Sequence, residues 1–292
     1  MAAAAAICPF VPTRITADDV PPPYVVPFTQ VRKLRSAING VAYRLYVRLP
    51  RSYGHGTRRY PVMLMLDADF AFSIAVNISD KLAARNQARE AILVAVAYPG
   101  YPDESAYRLN RTRDYTPYFV ASGGYGAEYQ RYSGGAPKFA SVIADEILPL
   151  VDRQYRTLAT DRMFVGHSYG GLFGAYLLAS RPAMFANYLL VSPSLWYDDR
   201  RALQDARAAG APPMKVSTRI YLAVGRLEGS NGGRSMADDL RTFAGILAAR
   251  RDPKLSVEFR AFEDETHDSV FPAAFSTGLR HLFAPPTPAG EP

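Results

Sequence analysis

A serine hydroxyl is a poor nucleophile at neutral pH. It becomes useful only when a base lies within hydrogen-bond reach and an acid orients that base. Ser168 sits in Gly166-His167-Ser168-Tyr169-Gly170-Gly171, a G-x-S-x-G pattern. The apolar run Met163-Phe164-Val165 before it predicts a buried strand, and Leu172 to Leu178 after it predicts a helix. Strand, tight turn and helix are the context in which such a serine stands at the apex of a bend. Gly166 and Gly170 are expected at the flanks of the turn, where side chains would crowd it. The N-terminus of the following helix points backbone N–H groups toward any oxyanion forming nearby. Read blandly, the same residues are a glycine-rich turn with an incidental serine, so the partners must decide.

Four histidines are candidates for the base. When a serine of this kind is served by a triad, the acid and then the histidine follow it along the chain. His55 precedes Ser168 and lies in a polar loop. His167 is its neighbour and is expected to pack beside the strand end. His281 falls inside the last predicted helix. His267, in the polar loop Glu263-Asp264-Glu265-Thr266-His267-Asp268, is the predicted base. Glu228, in Gly225-Arg226-Leu227-Glu228, is the predicted acid. Asp238 and Asp239 fit the first turn of a helix, where carboxylates are favoured anyway, and Asp264 and Asp268 fit loop structure. Two backbone donors are needed for the oxyanion: Tyr169, after the nucleophile, and Ala68 or Asp69, in Asp67-Ala68-Asp69-Phe70. Asp69 also reads as a helix N-cap.

These residues must be delivered by a framework, and the chain supplies one. Gln30 to Leu34 and Val41 to Leu49 flank Asn39-Gly40, a strong hairpin signal. Pro61 to Leu66, Ala91 to Ala97, Tyr188 to Ser192 and Ile220 to Val224 are apolar runs of the kind buried on both faces, whereas Leu255 to Ala261 alternates. Helices are predicted after Asp69, from about Phe139 to Tyr155, after Ser168, and over Asp198–Ala209, Ser235–Ala249 and Ser269–Phe283. Tyr101 to Lys138 shows no long periodic pattern and reads as a lid or binding loop. The expected organisation is a proline-rich extended arm over 1–27, one domain over 28–283 and a mobile tail over 284–292. Strands alternating with helices imply an α/β fold. Its sheet is mostly parallel, with an antiparallel N-terminal hairpin and helices on both faces.

Composition narrows the function classes. No apolar run reaches membrane-spanning length. Lysine and arginine outnumber acids to give a net charge of +7, but the arginines are scattered, with no basic stripe interleaved with aromatics. Nucleic acid is therefore not the expected partner; a small, anionic ligand suits the arginines as well. The lone Cys8 cannot form an internal disulfide. Met1 to Ile7 is alanine-rich without a basic segment. The chain therefore reads as cytoplasmic as it stands, or periplasmic if a leader has been removed.

Taken together, several pieces resemble the putative-esterase branch of the α/β-hydrolases, which includes enterochelin (siderophore) esterases. They are Leu66-Asp67-Ala68-Asp69-Phe70, Tyr98-Pro99-Gly100, Arg113-Asp114-Tyr115-Thr116-Pro117, the Ser168 elbow, Ser192-Pro193-Ser194-Leu195-Trp196-Tyr197, Gly225-Arg226-Leu227-Glu228 and Thr266-His267. The resemblance implies a serine esterase working through an acyl-enzyme, with neither metal nor cofactor, on a small-molecule ester. Siderophore members cleave trilactones whose ferric complexes are anionic. Such a site would pair cations with aromatic walls, for which Arg111, Arg113, Tyr115, Trp196 and Tyr197 are the candidates; Arg113-Asp114 reads equally as a structural ion pair. Two departures stand out: Ala68, where relatives usually carry glycine, and the Gly/Tyr-rich stretch Ser122 to Gly135. A general carboxylesterase or acyltransferase, and a non-catalytic anion-binding protein of the same fold, are the alternatives.

Overall fold

Two patterns in the sequence divide the central sheet into a half-exposed flank and a buried middle. In the computed structural model, which describes residues 22–208, 214–231 and 234–285, β1 (Thr29–Arg35) and β2 (Ala42–Arg48) form an antiparallel hairpin. Gly40 turns it at φ 73°, a left-handed conformation that costs glycine nothing. Tyr43, Leu45 and Val47 of β2 point into the core, as period two requires. By contrast β3 (Tyr60–Met65) and β4 (Ile92–Ala97) are buried at every position, which needs cover on both faces.

The eight strands run in the order β1-β2-β4-β3-β5-β6-β7-β10. The remaining ones are β5 (Thr157–His167), β6 (Asn187–Val191), β7 (Thr218–Gly225) and β10 (Leu255–Phe262). β2 meets β4 antiparallel, and every pairing from β4 to β10 is parallel. A two-residue pair, β8 (Ser230–Asn231) and β9 (Arg234–Ser235), stands apart from this sheet. Alternate residues of the middle strands feed two cores. Met63, Met65, Leu93 and Ala95 pack with α1 (Ala68–Ala84) and α9 (Val270–Leu282). Val62, Leu64, Val94 and Phe164 pack on the opposite face, with Phe173 of α6 (Tyr169–Ser180), Leu203 of α7 (Tyr197–Ala208) and Phe243 of α8 (Met236–Ala249).

One expectation needs correction. The stretch from Tyr101 to Lys138 is not without regular structure: it holds α2 (Glu104–Tyr115), α3 (Ala127–Gln130) and the start of α4 (Ala136–Ser141). Apolar periodicity gives no sign of α2 because the side it buries is Arg111, Thr112, Asp114 and Tyr115. Asp103 starts the helix, its carboxylate accepting the N–H groups of Ser105 and Ala106. Beyond α4 the helix widens into a π turn (Val142–Ile147) before α5 (Leu148–Gln154). Pro149 lies at that junction; it has no N–H to donate and its ring crowds the carbonyl four residues back. Residues 1–21 of the expected arm and 286–292 of the expected tail lie outside the described residues.

Because the strands from β4 onward are parallel, their C-terminal ends share one edge. Asp67, Ser168, Glu228 and His267 all follow strand ends there, from β3, β5, β7 and β10.

Candidate active site

Ser168 adopts φ 58° and ψ −120°, a strained conformation for a residue with a Cβ. It is held by its neighbours. Its N–H donates to Val191 O at 3.0 Å, and its carbonyl accepts from Leu172 N and Ser194 N. A Cβ on Gly166 would lie 2.2 Å from the Gly170 carbonyl oxygen, and one on Gly171 would lie 2.8 Å from Pro193 Cα. A Cβ on Gly170 would meet nothing closer than Asp67 Oδ2 at 3.4 Å. The crowding is thus at Gly166 and Gly171, not at Gly166 and Gly170 as the motif suggests. Ser168 Oγ has one hydrogen-bond neighbour among the described residues, Ser194 Oγ at 3.4 Å.

Glu228 and His267 come together across the edge. The Glu228 carboxylate is buried; Oε1 accepts from Ser192 Oγ at 2.5 Å and Gly225 N at 2.6 Å, and Oε2 accepts from His267 Nδ1 at 2.8 Å. A carboxylate can only accept, so Nδ1 carries the proton and Nε2 is the acceptor. Ser168 and His267 line the same cavity, of about 470 Å³. The His267 loop crosses directly over the end of β7, so close that a Cβ on Gly225 would lie 2.3 Å from the Glu265 carbonyl oxygen. Ser192, the third partner of Glu228, lies in Ser192-Pro193-Ser194-Leu195-Trp196-Tyr197, where nothing local assigns it to the carboxylate.

The other acids are engaged elsewhere. Asp238 forms a capping box with Ser235, and Asp239 is paired with Arg200 at 2.8 Å. Asp264 and Asp268 are exposed. His55 and His281 are exposed as well, the His281 ring lying tilted with its centroid 5.5 Å from that of Tyr221.

His167 does more than fill space beside the strand. Its Nε2–H donates to the backbone carbonyl of His267 at 2.8 Å, and the two imidazoles lie 4.6 Å apart. Burial, then the neighbouring His267, pushes its pKa down from 6.5 to about 3. His167 therefore stays neutral and keeps its donor. In the unfolded chain it takes up a proton below its ordinary value, whereas in the folded chain it does so only near the depressed one. Its contribution to stability is present above 6.5 and is lost as pH falls toward about 3. At full extent this is about 5 kcal/mol. Denaturant midpoints measured across that window should fall less steeply in His167→Gln than in the natural chain. Parallel curves would show that His167 carries no such linkage.

For the oxyanion, the relevant groups are the first backbone donors of two helices. Tyr169 is the first residue of α6; Ala68 and Asp69 are the first two of α1. Among the described residues none of the three donates to a backbone acceptor, as expected for residues with no preceding turn. Asp67 brings α1 to the site by taking φ 54° and ψ 50° at the end of β3. Ala68 is 2% exposed and its side chain packs with the α1–α9 core, so its methyl does not narrow the cavity. Asp69 is not the N-cap, a position that Asp67 holds. Its half-buried carboxyl accepts from Tyr46 OH at 3.0 Å, and burial raises its pKa.

The expected binding residues separate. Arg111 reaches the cavity wall, but it is 3% exposed and grips Asp67 with two bonds of 2.9 and 3.1 Å. It also donates to Tyr125 OH and lies 5.0 Å from the Tyr107 ring. Arg113 closes on Asp114 with two bonds of 2.8 Å, and Asp114 also accepts from Tyr43 OH and Tyr98 OH. That is the structural ion pair, not a ligand cation. Tyr115 is fully buried against Phe139 and Phe173. Tyr197 is buried with its hydroxyl on Gln130, and Trp196 packs half-buried against Tyr169. None of these four lines the cavity. Its aromatic wall is instead Phe70, Tyr101, Tyr107 and Tyr125. The sequence signal that could have found part of it is the aromatic and proline cluster Tyr98-Pro99-Gly100-Tyr101-Pro102, which follows a strand end.

Among the described residues no cluster of histidine, cysteine and acids is placed to hold a metal ion, and no helix is long and apolar enough to cross a membrane.

Comparison with known proteins gives the following. The family model described as "Putative esterase" matches residues 36–272. Ferri-bacillibactin esterase BesA of Bacillus subtilis is 28% identical over 274 residues, covering 91% of this chain and 93% of that protein. Among solved structures, the BES protein from Bacillus cereus superposes with a TM-score of 0.76 at 26% identity, covering 90% of this chain and 97% of that one. An IroE-like serine hydrolase from Shewanella oneidensis superposes with a TM-score of 0.74 at 26% identity, over 87% of this chain and 80% of that one.

Proposed function

The chain belongs to the putative-esterase family, and from that premise we propose that Ser168, His267 and Glu228 are the triad with which it hydrolyses carboxylic esters. It is a serine ester hydrolase of the α/β-hydrolase fold acting on a small molecule. His267 Nε2 takes the proton from Ser168 Oγ as that oxygen attacks the ester carbonyl carbon. The tetrahedral oxyanion is held by the N–H of Tyr169 together with that of Ala68 or Asp69. As the intermediate collapses, His267 returns the proton to the leaving alcohol, and water then repeats the sequence on the acyl-enzyme. Glu228 fixes the imidazole through Nδ1 and compensates the positive charge that forms on it.

The observation that carries this reading is the Glu228–His267 bond of 2.8 Å, with the free edge of His267 and Ser168 lining one cavity. Ser168 Oγ has Ser194 Oγ at 3.4 Å, and the hydrogen bond between a serine nucleophile and its base tightens in the complex with substrate. The substrate we assign is a siderophore-type ester, supported by the similarity of this chain over 274 residues to a ferri-bacillibactin esterase. The anion-binding alternative loses its cations, since Arg111 is paired with Asp67 and Arg113 with Asp114. A fluorophosphonate probe should form a single covalent adduct, located on Ser168 by peptide mass spectrometry. An unlabelled Ser168 would remove the reading.

A further inference from the structure

The cavity that holds Ser168 and His267 is acidic. Asp69, Asp103, Glu104 and Asp268 contribute to its lining, against a single guanidinium, that of Arg111. Glu104 is paired with Arg108, so among the described residues the lining carboxylates without a cationic partner are Asp69, Asp103 and Asp268. Arg111 offers no uncompensated charge to a ligand, because it is buried and doubly bonded to Asp67. Arg108, one turn away on α2, is held by Glu104 at 2.9 Å. Arg113 is closed on Asp114. The net charge of +7 is therefore not expressed in this lining. The aromatic remainder of the wall accepts a planar ring or hydrocarbon without calling for charge.

Building on the esterase reading, we propose that this site takes its ester in an uncharged or cationic form. A catechol trilactone would then be cleaved here metal-free, and not as its ferric complex. Iron(III) held by three catecholates carries three negative charges, whereas metal-free catechols, as phenols, keep their protons at neutral pH. The ferric complex entering the cavity meets carboxylates of its own sign, which opposes binding, most strongly at low salt. The metal-free ester meets no such opposition. A quaternary ammonium ester gains from the carboxylates and from the aromatic faces. BesA is named for a ferri-siderophore; the proposal separates this chain from it by the charge of the substrate and not by the reaction.

The test is kcat/KM at low salt on two matched sets. One is the acetate esters of choline, of its neutral carbon isostere and of a carboxylate-bearing alcohol of like size. The other is a triscatecholate trilactone with and without iron(III). The carboxylate ester and the ferric complex should each be used about tenfold less efficiently than their uncharged counterparts, or worse. The gap should narrow at high salt and in the Asp103→Asn/Asp268→Asn double variant, in which asparagine keeps the helix cap of position 103. Equal or better use of the anionic member of either pair overturns the proposal, as does a gap indifferent to both salt and the double variant. Turnover of no ester at all strikes the esterase reading itself. Loss of the trilactones alone strikes the siderophore assignment, and the acetate esters still decide the charge rule.

Discussion

Replacing Ser168 with alanine should lower kcat on a neutral aryl ester by about 10⁴-fold or more, because the covalent route disappears and only binding and the oxyanion donors remain. The fold should not suffer. Ser168 Oγ makes one weak contact, to Ser194 at 3.4 Å, and alanine has the same backbone preferences at the strained φ of 58°. The thermal midpoint should therefore stay close to that of the natural chain, so lost activity cannot be blamed on lost structure. A variant that keeps more than about a hundredth of the natural kcat would mean that another group attacks the ester.

The second large effect is expected from Glu228→Gln, which keeps the size and changes the hydrogen-bond logic. The carboxylate accepts from Ser192 Oγ, Gly225 N and His267 Nδ1. An amide oxygen can satisfy Ser192 and Gly225, and its NH₂ group then faces Nδ1–H, donor against donor. His267 relieves this by moving its proton to Nε2, and in that tautomer it cannot take the proton of Ser168. We expect kcat to fall by about 10³- to 10⁴-fold, with KM changed little, since the substrate does not touch Glu228. Steady-state kinetics on the same aryl ester decides this. Near-natural kcat would transfer the role to another acid. None of the alternatives is well placed for it: Asp238 caps α8, Asp239 holds Arg200, and Asp264 and Asp268 are exposed.

The features legible from the sequence are those that depend on neighbours along the chain. The Asn39-Gly40 hairpin, the buried strands and the amphipathic α8 and α9 follow from periodicity and turn chemistry. The meeting of Glu228 with His267 was also legible, because in a parallel sheet every strand end falls on the same edge. Helix α2 was not, since its buried side is polar and its stability comes from partners far away in sequence. Arg111 reaches Asp67, and Asp114 is bonded to Tyr43 and Tyr98. The same blindness hid the state of Arg111, which read as a ligand cation because its carboxylate, Asp67, lies 44 residues away in sequence. Arg113 differs: its partner Asp114 is the next residue, and the ion pair was one of its two readings from the start.

Residue order by itself laid out the proposed triad: a serine at a glycine-lined bend, then a glutamate, then a histidine, each just past a strand. Tertiary structure alone decided what the site presents to its substrate. It turned Tyr115 and Tyr197 into the core, neutralised Arg111 and gathered four carboxylates around Ser168. The physical reason is range. Strand and helix patterns are written by interactions over a few residues. The charge of a cavity is a sum over side chains from distant segments, and it is known only once each of them has found its partner or failed to.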